Sequence, residues 1–296
     1  MPYEKLNQVL TNSQVKTCII HQHDETLFEF NQSMINQIQK VNSITKSVIS
    51  MLYGIALNRG DISHLSNSID HYFPSVDQEK KDITLEHLLT MRSGLYWSGN
   101  AKMKNSDHWI NYILNLPIVQ IPGKEMKYCC ANSHLLSAIL QMETGMKTAD
   151  YAREFLFQPM GIKDFRWDED PQGITTGGFG LHMKPVDLLA LGKLYLDGGN
   201  WNGEEILPTF WIYESTQPYT ETNIGSQQYG YHWWYSPALK EKQPYFYYAA
   251  GNGGQYIFVA PTEQLITIFT GEFSRKESVK PFQWFVRYIL AKKQTY

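Results

Sequence analysis

Ser43-Ile44-Thr45-Lys46 opens a run in which Ile44, Val48, Met51, Leu52, Ile55 and Ala56 recur at three- and four-residue spacing, the pattern of a helix with a buried face. The polar segment Gln39-Lys40-Val41-Asn42 precedes it and Arg59-Gly60-Asp61 stops it, so Ser43 stands at the amino end of the helix. Residues three apart share a helix face, which puts Lys46 one turn above Ser43 and within reach of its hydroxyl. The first N–H groups of a helix lack internal partners and its dipole is positive there, so an oxyanion forming beside Ser43 would be stabilised. That is the arrangement a nucleophilic serine needs. A serine cap followed by a lysine on a solvated face has the same spelling, and the four residues alone leave both readings open.

The surrounding chain narrows the setting. Its 296 residues are 43% hydrophobic and 14% aromatic with a net charge of −3, enough for a sizeable core in one large domain or two lobes. The near-neutral balance argues against a nucleic-acid partner and fits a small-molecule ligand of neutral or mixed charge. Three cysteines, Cys18, Cys129 and Cys130, form no even framework and none has zinc-site spacing, which reads as a reducing compartment. His21 and His23 could face one side of a hairpin, but two histidines do not close a metal shell. The segment from Met1 to Leu6 lacks the regions of a signal peptide, and no apolar run approaches the roughly 18 residues of a membrane helix. The expectation is a soluble, cytoplasmic protein with no membrane partner, unless the chain was trimmed.

Val15 to Ile20 and Thr26 to Phe30 read as strands around His23-Asp24. Near the other end, Tyr245 to Ala250, Gln255 to Ala260 and Leu265 to Gly271 are β-branched or aromatic runs joined by Gly251-Asn252-Gly253-Gly254 and Pro261-Thr262-Glu263. Val279, Phe282, Phe285, Val286, Ile289 and Leu290 mark a closing amphipathic helix. Between about 61 and 215 the texture is of short helical runs split by prolines and glycines. One of these is capped by Thr84, with a capping box left incomplete because His87 stands where a glutamate or glutamine belongs. The expected fold is α+β: residues 1–60 and 216–296 form an antiparallel sheet flanked by helices, residues 61–215 form a mainly helical second lobe, and the active site lies between them.

Two further stretches carry chemistry. In Tyr128-Cys129-Cys130-Ala131-Asn132, a loop tyrosine serves as general base only if a nearby cation poises its phenol, and Lys46 is the obvious partner; a packed corner tyrosine is the plain alternative. In Ala249-Ala250-Gly251-Asn252-Gly253-Gly254-Gln255, glycines at a strand start let a ligand or another backbone come close. A ligand carbonyl along that edge could take an oxyanion hydrogen bond from the N–H of Gln255. An ordinary glycine-rich turn reads the same way. Adjacent Cys129 and Cys130 are poorly placed for a disulfide, nothing marks His134 as a base for a thiol nucleophile, and small buried side chains are the plainer role. Trp97, Trp233 and Trp234 fit a cleft lining or the core equally well.

Taken in chain order, SxxK at the start of a buried helix, a tyrosine motif in a helical middle and a glycine-rich strand near the end resemble the serine β-lactamase and penicillin-binding protein superfamily. Within it the chain is most similar to class C β-lactamase-like hydrolases, a group that includes esterases, D-amino-acid peptidases and 6-aminohexanoate-oligomer hydrolases. The likeness runs through Asp82-Ile83-Thr84-Leu85-Glu86-His87-Leu88-Leu89-Thr90-Met91-Arg92-Ser93-Gly94-Leu95, Gly177-Gly178-Phe179-Gly180-Leu181, Gly198-Gly199-Asn200-Trp201-Asn202-Gly203 and Tyr229-Gly230-Tyr231-His232-Trp233-Trp234. It implies a transpeptidase-like fold. It also implies Ser43 as nucleophile, Lys46 as its proton partner, Tyr128 as the base that later protonates the leaving group, and the N–H groups of Ser43 and Gln255 as the oxyanion hole. The reaction implied is acylation of Ser43 by an ester, an amide or a β-lactam and hydrolysis by water, without a metal or organic cofactor.

Two positions depart from the family's pattern. Relatives carry asparagine two residues after the tyrosine, where this chain has Cys130; Asn132 would supply the amide if the loop shifts by two residues. Asn252 stands where many β-lactamases have the lysine of KTG, whose pairing with a substrate carboxylate is worth about 1–3 kcal/mol. With Gly253, Gly254 and Trp233, these residues form the expected substrate-binding set. The departures favour an esterase or peptidase, and motivate as alternative a penicillin-binding sensor that is acylated and stays so.

Overall fold

Strand-forming residues at both ends of the chain come together in one sheet. The computed structural model describes residues 3–238 and 244–291; the expected sheet segments 1–60 and 216–296 include residues 1–2, 239–243 and 292–296, which lie outside the described residues. In chain order the strands are β1 (Val15–Gln22), β2 (Glu25–Phe30), β3 (Gln39–Lys40), β4 (Arg166–Trp167), β5 (Leu181–Met183), β6 (Asn200–Trp201), β7 (Glu204–Glu205), β8 (Thr220–Glu221), β9 (Gln228–Tyr229), β10 (Trp234–Ser236), β11 (Phe246–Gly251), β12 (Gln255–Ala260) and β13 (Leu265–Gly271). The main sheet runs β2-β1-β13-β12-β11-β10-β9-β8 with antiparallel neighbours, so β1 from the start of the chain pairs with β13 from its end.

Strand side chains alternate between faces, and both faces of this sheet are covered. Phe246, Tyr248, Tyr256, Phe258 and Phe269 pack against Leu6 and Leu10 of the helix Glu4–Thr11 and against Phe285 and Ile289 near the carboxy end. Phe258 and Phe285 stack with ring centroids 4.1 Å apart. Their neighbours Tyr247, Ala249, Ile257, Val259, Ile266 and Ile268 face the Ser43 helix and the larger core.

The Ser43 helix, Ile44–Arg59, departs from a one-faced pattern. Every residue from Ile44 to Ala56 is buried, including Ile49 and Tyr53, which lie outside the periodic set read from sequence. The reason is two-sided packing: the sheet lies against one flank and the helix Cys130–Thr144 against the other. Gly60, with φ 79°, ends it where the sequence indicates, its N–H bonding back to Ala56 and Leu57. Helices from Ile69–Tyr72 to Thr209–Ser215 form the mainly helical part, and β3, β5 and β4 add a small sheet in which Lys40 pairs with His182. Among the described residues no helix is long and apolar enough to cross a membrane.

The capping box at Thr84 is complete, contrary to the expectation from its sequence. Thr84 Oγ1 accepts from His87 N–H at 3.2 Å, and Thr84 N–H donates to His87 Nδ1 at 3.3 Å. Burial and the charge of Arg92 hold His87 below its ordinary pKa, so a ring nitrogen stays free to accept in place of a carboxylate.

Gly54 marks the tightest contact on the Ser43 helix: a Cβ there would lie 2.3 Å from Cγ of Trp211, which is itself 1% exposed. Alanine ordinarily improves a helix interior by up to about 1 kcal/mol, but a fully enclosed indole has nowhere to move. Gly54→Ala is therefore expected to destabilise the fold by about 1–3 kcal/mol in urea denaturation. An unchanged or raised midpoint would show that Trp211 yields.

Candidate active site

The turn before the Ser43 helix decides what the serine does. Asn42 sits at φ 49°, a left-handed conformation that asparagine tolerates, and its Nδ2 donates to the carbonyl of Asn252 at 2.6 Å. Thr45 Oγ1 returns to the Asn42 carbonyl at 2.6 Å. Ser43 itself has helical backbone angles, φ −74° and ψ −2°, and its side chain makes no capping bond. Its hydroxyl instead accepts from Lys46 Nζ at 3.1 Å, so the plain cap reading fails.

Lys46 is 1% exposed, and its ammonium also donates to Gly178 O at 2.6 Å and Cys130 Sγ at 3.3 Å. Three N–H groups thus meet three acceptors. The charge stands 4.9 Å from the centroid of the Tyr128 ring. Burial works against the charged form, yet the Cys130 thiol and the Tyr128 phenol outweigh it and hold Lys46 above the ordinary lysine pKa. Tyr128 is half-buried, stacked on Trp234 with centroids 5.9 Å apart. Ser43, Lys46, Tyr128 and Cys130 are therefore brought together from one helix, a loop and the start of a second helix.

The glycine-rich turn reaches the serine at Gly251. A Cβ there would fall 2.4 Å from Val41 O, 3.0 Å from Gln255 Cβ and 3.1 Å from Ser43 N, so the backbone at Gly251 closes on Ser43 with Gln255 beside it. Gln255 lies across the hairpin, opposite Gly251, with its amide donating to Gly271 O at 2.6 Å and Gly253 O at 3.2 Å. Both Gly253 and Gly254 have φ 86°; the Gly253 N–H is held by Ser278 Oγ at 2.9 Å, and a Cβ on Gly254 would strike Phe273 at 2.5 Å. Both glycines shape the turn, and Gly253 also lines the cavity beside it. Exposed Asn252 accepts from Ser278 Oγ through Oδ1 at 3.2 Å.

Two expected substrate contacts are placed elsewhere. Asn132 is fully buried, its Oδ1 accepting from Ser93 Oγ at 2.8 Å, so it packs beneath the helix Leu85–Leu89 and does not face Ser43. Trp233 is also fully buried, 4.2 Å from the ring of Tyr195, and belongs to the core; half-buried Trp97 and Trp234 pack at its margin. Sequence reasoning missed Gly178 and His232. Gly177-Gly178 and Tyr231-His232 stood only within stretches of likeness, and nothing local marks a carbonyl as a lysine's acceptor.

The family model for beta-lactamase matches residues 36–277. The chain belongs to the beta-lactamase family. Members of this family are serine hydrolases, and the solved structures similar to the chain share its fold. A protein from Bacillus anthracis assigned as a 6-aminohexanoate-dimer hydrolase has 17% identity and a TM-score of 0.81, over 97% of this chain and 82% of that one. The octameric penicillin-binding protein homologue from Pyrococcus abyssi has 18% identity and a TM-score of 0.78, over 97% and 78%. A class C beta-lactamase from Rhodobacter sphaeroides has 15% identity and a TM-score of 0.75, over 96% and 98%. No curated protein matches the chain.

In this beta-lactamase-family fold His232 supports the site from below. It accepts from Ser47 Oγ through its carbonyl at 2.7 Å, and its Nε2 lies 2.9 Å from Ser133 Oγ. Burial, then the charge of Lys46, push its pKa down to about 3. An unfolded histidine titrates near ~6.5, so between the two values the unfolded chain binds the extra proton. This contribution is intact above about pH 6.5 and is lost as the pH falls toward the folded value. His232→Gln should thus show a shallower loss of urea midpoint between about pH 6 and about pH 4 than the parent, by about one proton's worth of slope. Parallel curves would refute the assignment.

Proposed function

We propose that the protein hydrolyses ester or amide bonds through an acyl-enzyme on Ser43. The observation that carries this is the Ser43 hydroxyl itself: it declines the capping role its position offers and meets a buried ammonium at 3.1 Å. The site's charge state sets the order of proton transfers. Lys46 donates to Oγ at 3.1 Å, so it orients the hydroxyl and relays protons beside it. Tyr128 takes the base role as its phenolate, with the Lys46 ammonium 4.9 Å from the ring centroid. As Oγ attacks the carbonyl carbon, its proton passes to Tyr128 and the carbonyl oxygen becomes an oxyanion. The N–H groups of Ser43 and Gln255 receive that oxyanion; Gln255 pairs with Gly251, whose Cβ position would lie 3.1 Å from Ser43 N. Collapse expels the leaving alcohol or amine, which takes the proton from Tyr128. Water then repeats the sequence on the acyl-enzyme, giving its proton to Tyr128, which returns it to Ser43 Oγ as the acid leaves.

The favoured substrate is an ester or amide rather than a β-lactam. Cys130 lacks the amide donor, and Asn252 the cation, that the family's pattern places toward a β-lactam substrate at those two positions. A sensor that is acylated and retained is the second reading, with the same two substitutions behind it.

Intact-mass spectrometry with a fluorophosphonate and with a penicillin, alongside p-nitrophenyl ester turnover, separates these. The expected result is a single fluorophosphonate adduct and continuing ester turnover, both absent in Ser43→Ala. Tyr128→Phe should lower kcat by about 10²–10⁴-fold, the range of a lost general base. A lone burst stoichiometric with enzyme, followed by a stable penicillin adduct, would favour the sensor; no adduct and no turnover would refute both.

A further inference from the structure

Ser43 opens onto a cleft of about 240 Å³ bounded by Lys40, Lys104, Asp168, His182 and Asn252. It adjoins a larger cavity of about 670 Å³ that shares Lys40, Asn42, His182 and Asn252 and adds Lys16, Arg166 and Glu272. Four cations face two carboxylates across this joined space. Lys16 is ion-paired with Glu272, whose carboxylate also feels the Lys40 charge, and Lys104 lies over the Phe179 ring at 4.2 Å; among the described residues no carboxylate lies within ion-pair distance of Lys40 or Lys104.

Arg166 is set at this rim by built contacts. Its Nη2 lies 2.8 Å from His182 Nε2, and since arginine only donates, Nε2 must be the accepting nitrogen. The proton then sits on Nδ1, which donates to Gly180 O at 3.0 Å. His182 is 6% exposed and its Nε2 orients the exposed guanidinium, with Asp168 at 3.5 Å on its other edge. The β3–β5 pairing places Lys40 opposite His182, and Lys40 precedes Ser43 by only three residues. Two cations are thereby held on the route to the serine by one small sheet.

The direction of the substrate follows from the proposed chemistry. The leaving group must point at Tyr128, and neither cavity is lined by Tyr128 or by Trp234 on which it stacks. The acyl chain is the part left to enter the cleft.

Resting on the hydrolase reading above, we infer that the preferred substrate carries a carboxylate at the far end of its acyl group, received by Lys40 and Arg166. This moves the recognition of a substrate anion from the turn at Asn252 to the β3–β5 edge.

The test compares p-nitrophenyl hydrogen adipate with p-nitrophenyl hexanoate, acyl chains of equal length differing by the carboxylate. At low ionic strength the acidic ester should be favoured in kcat/KM by about tenfold or more, through KM, and the preference should shrink as salt screens it. Arg166→Gln and Lys40→Gln should each bring that ratio toward one. A ratio at or below one in the parent, or one unmoved in both variants while the neutral ester is still cleaved, overturns the inference. Failure of both esters together with absence of a fluorophosphonate adduct counts against the hydrolase reading instead. In that event calorimetric titration with free adipate decides for the anion site: saturable binding lost in the double variant supports it, and no binding overturns it.

Discussion

A buried ammonium is the constraint on which the rest of the structure depends. Taking an unpaired charge out of water costs several kcal/mol, so each N–H of Lys46 has to find an acceptor. The three acceptors come from separate parts of the chain: Ser43 one turn below, Cys130 at the start of the next helix, and the carbonyl of Gly178 in a loop. A shift of any one by an ångström would orphan a buried donor. The loop can reach its place only because Gly177 lacks a side chain, since a Cβ there would lie 1.8 Å from Ser133 O on the Cys130 helix. Satisfying one charge therefore fixes how two helices and a loop stand relative to each other, and that fixed geometry is what makes a hydroxyl available for chemistry.

The same economy operates at the turn before the helix. A serine at a helix start is normally consumed by a backbone N–H. Here the local polar demands are met by its neighbours: Thr45 returns to the Asn42 carbonyl and accepts from Leu181 N–H at 3.3 Å, while the Asn42 amide crosses to the Asn252 carbonyl. Ser43 is left with Lys46 as its partner. The crossing bond also ties the serine's turn to the sheet, so the first and last thirds of the chain meet at the site as well as in the β1–β13 pairing.

Local features were legible in the sequence where one residue type has one physical use. Gly60 ends the Ser43 helix and the glycine-rich turn joins β11 to β12 because only left-handed or side-chain-free backbone fits there. The strands near both termini, the closing helix and the Ser43–Lys46 contact follow from periodicity. What failed depended on which of several equivalent groups faces inward. Asn132 lies half a turn from Cys130 on the same helix, so it necessarily points away, toward Ser93. His87 completes a capping box that a rule written for carboxylates and amides misses.

On the proposed reading, Cys130 and Asn252 alter what the site offers a ligand and leave the contacts around Lys46 in place. An asparagine after the tyrosine would offer both an oxygen to the lysine and N–H groups to a substrate; a thiol keeps the first role, at 3.3 Å from Lys46, and gives up most of the second. At the turn, Asn252 keeps the backbone functions, its carbonyl accepting from Asn42 and its position following Gly251, while the side chain is spent on Ser278 instead of carrying a cation. Each departure preserves a bond the protein makes with itself and removes a group that would face a ligand. The Lys46–Cys130 bond resists change because it satisfies a buried group, whose loss costs about 1–3 kcal/mol, whereas the bonds of exposed Asn252 carry a smaller penalty. Recognition can therefore drift at the rim of this cleft while the Lys46 centre stays fixed, and the cations along β3 and β4 lie where such drift costs the fold least.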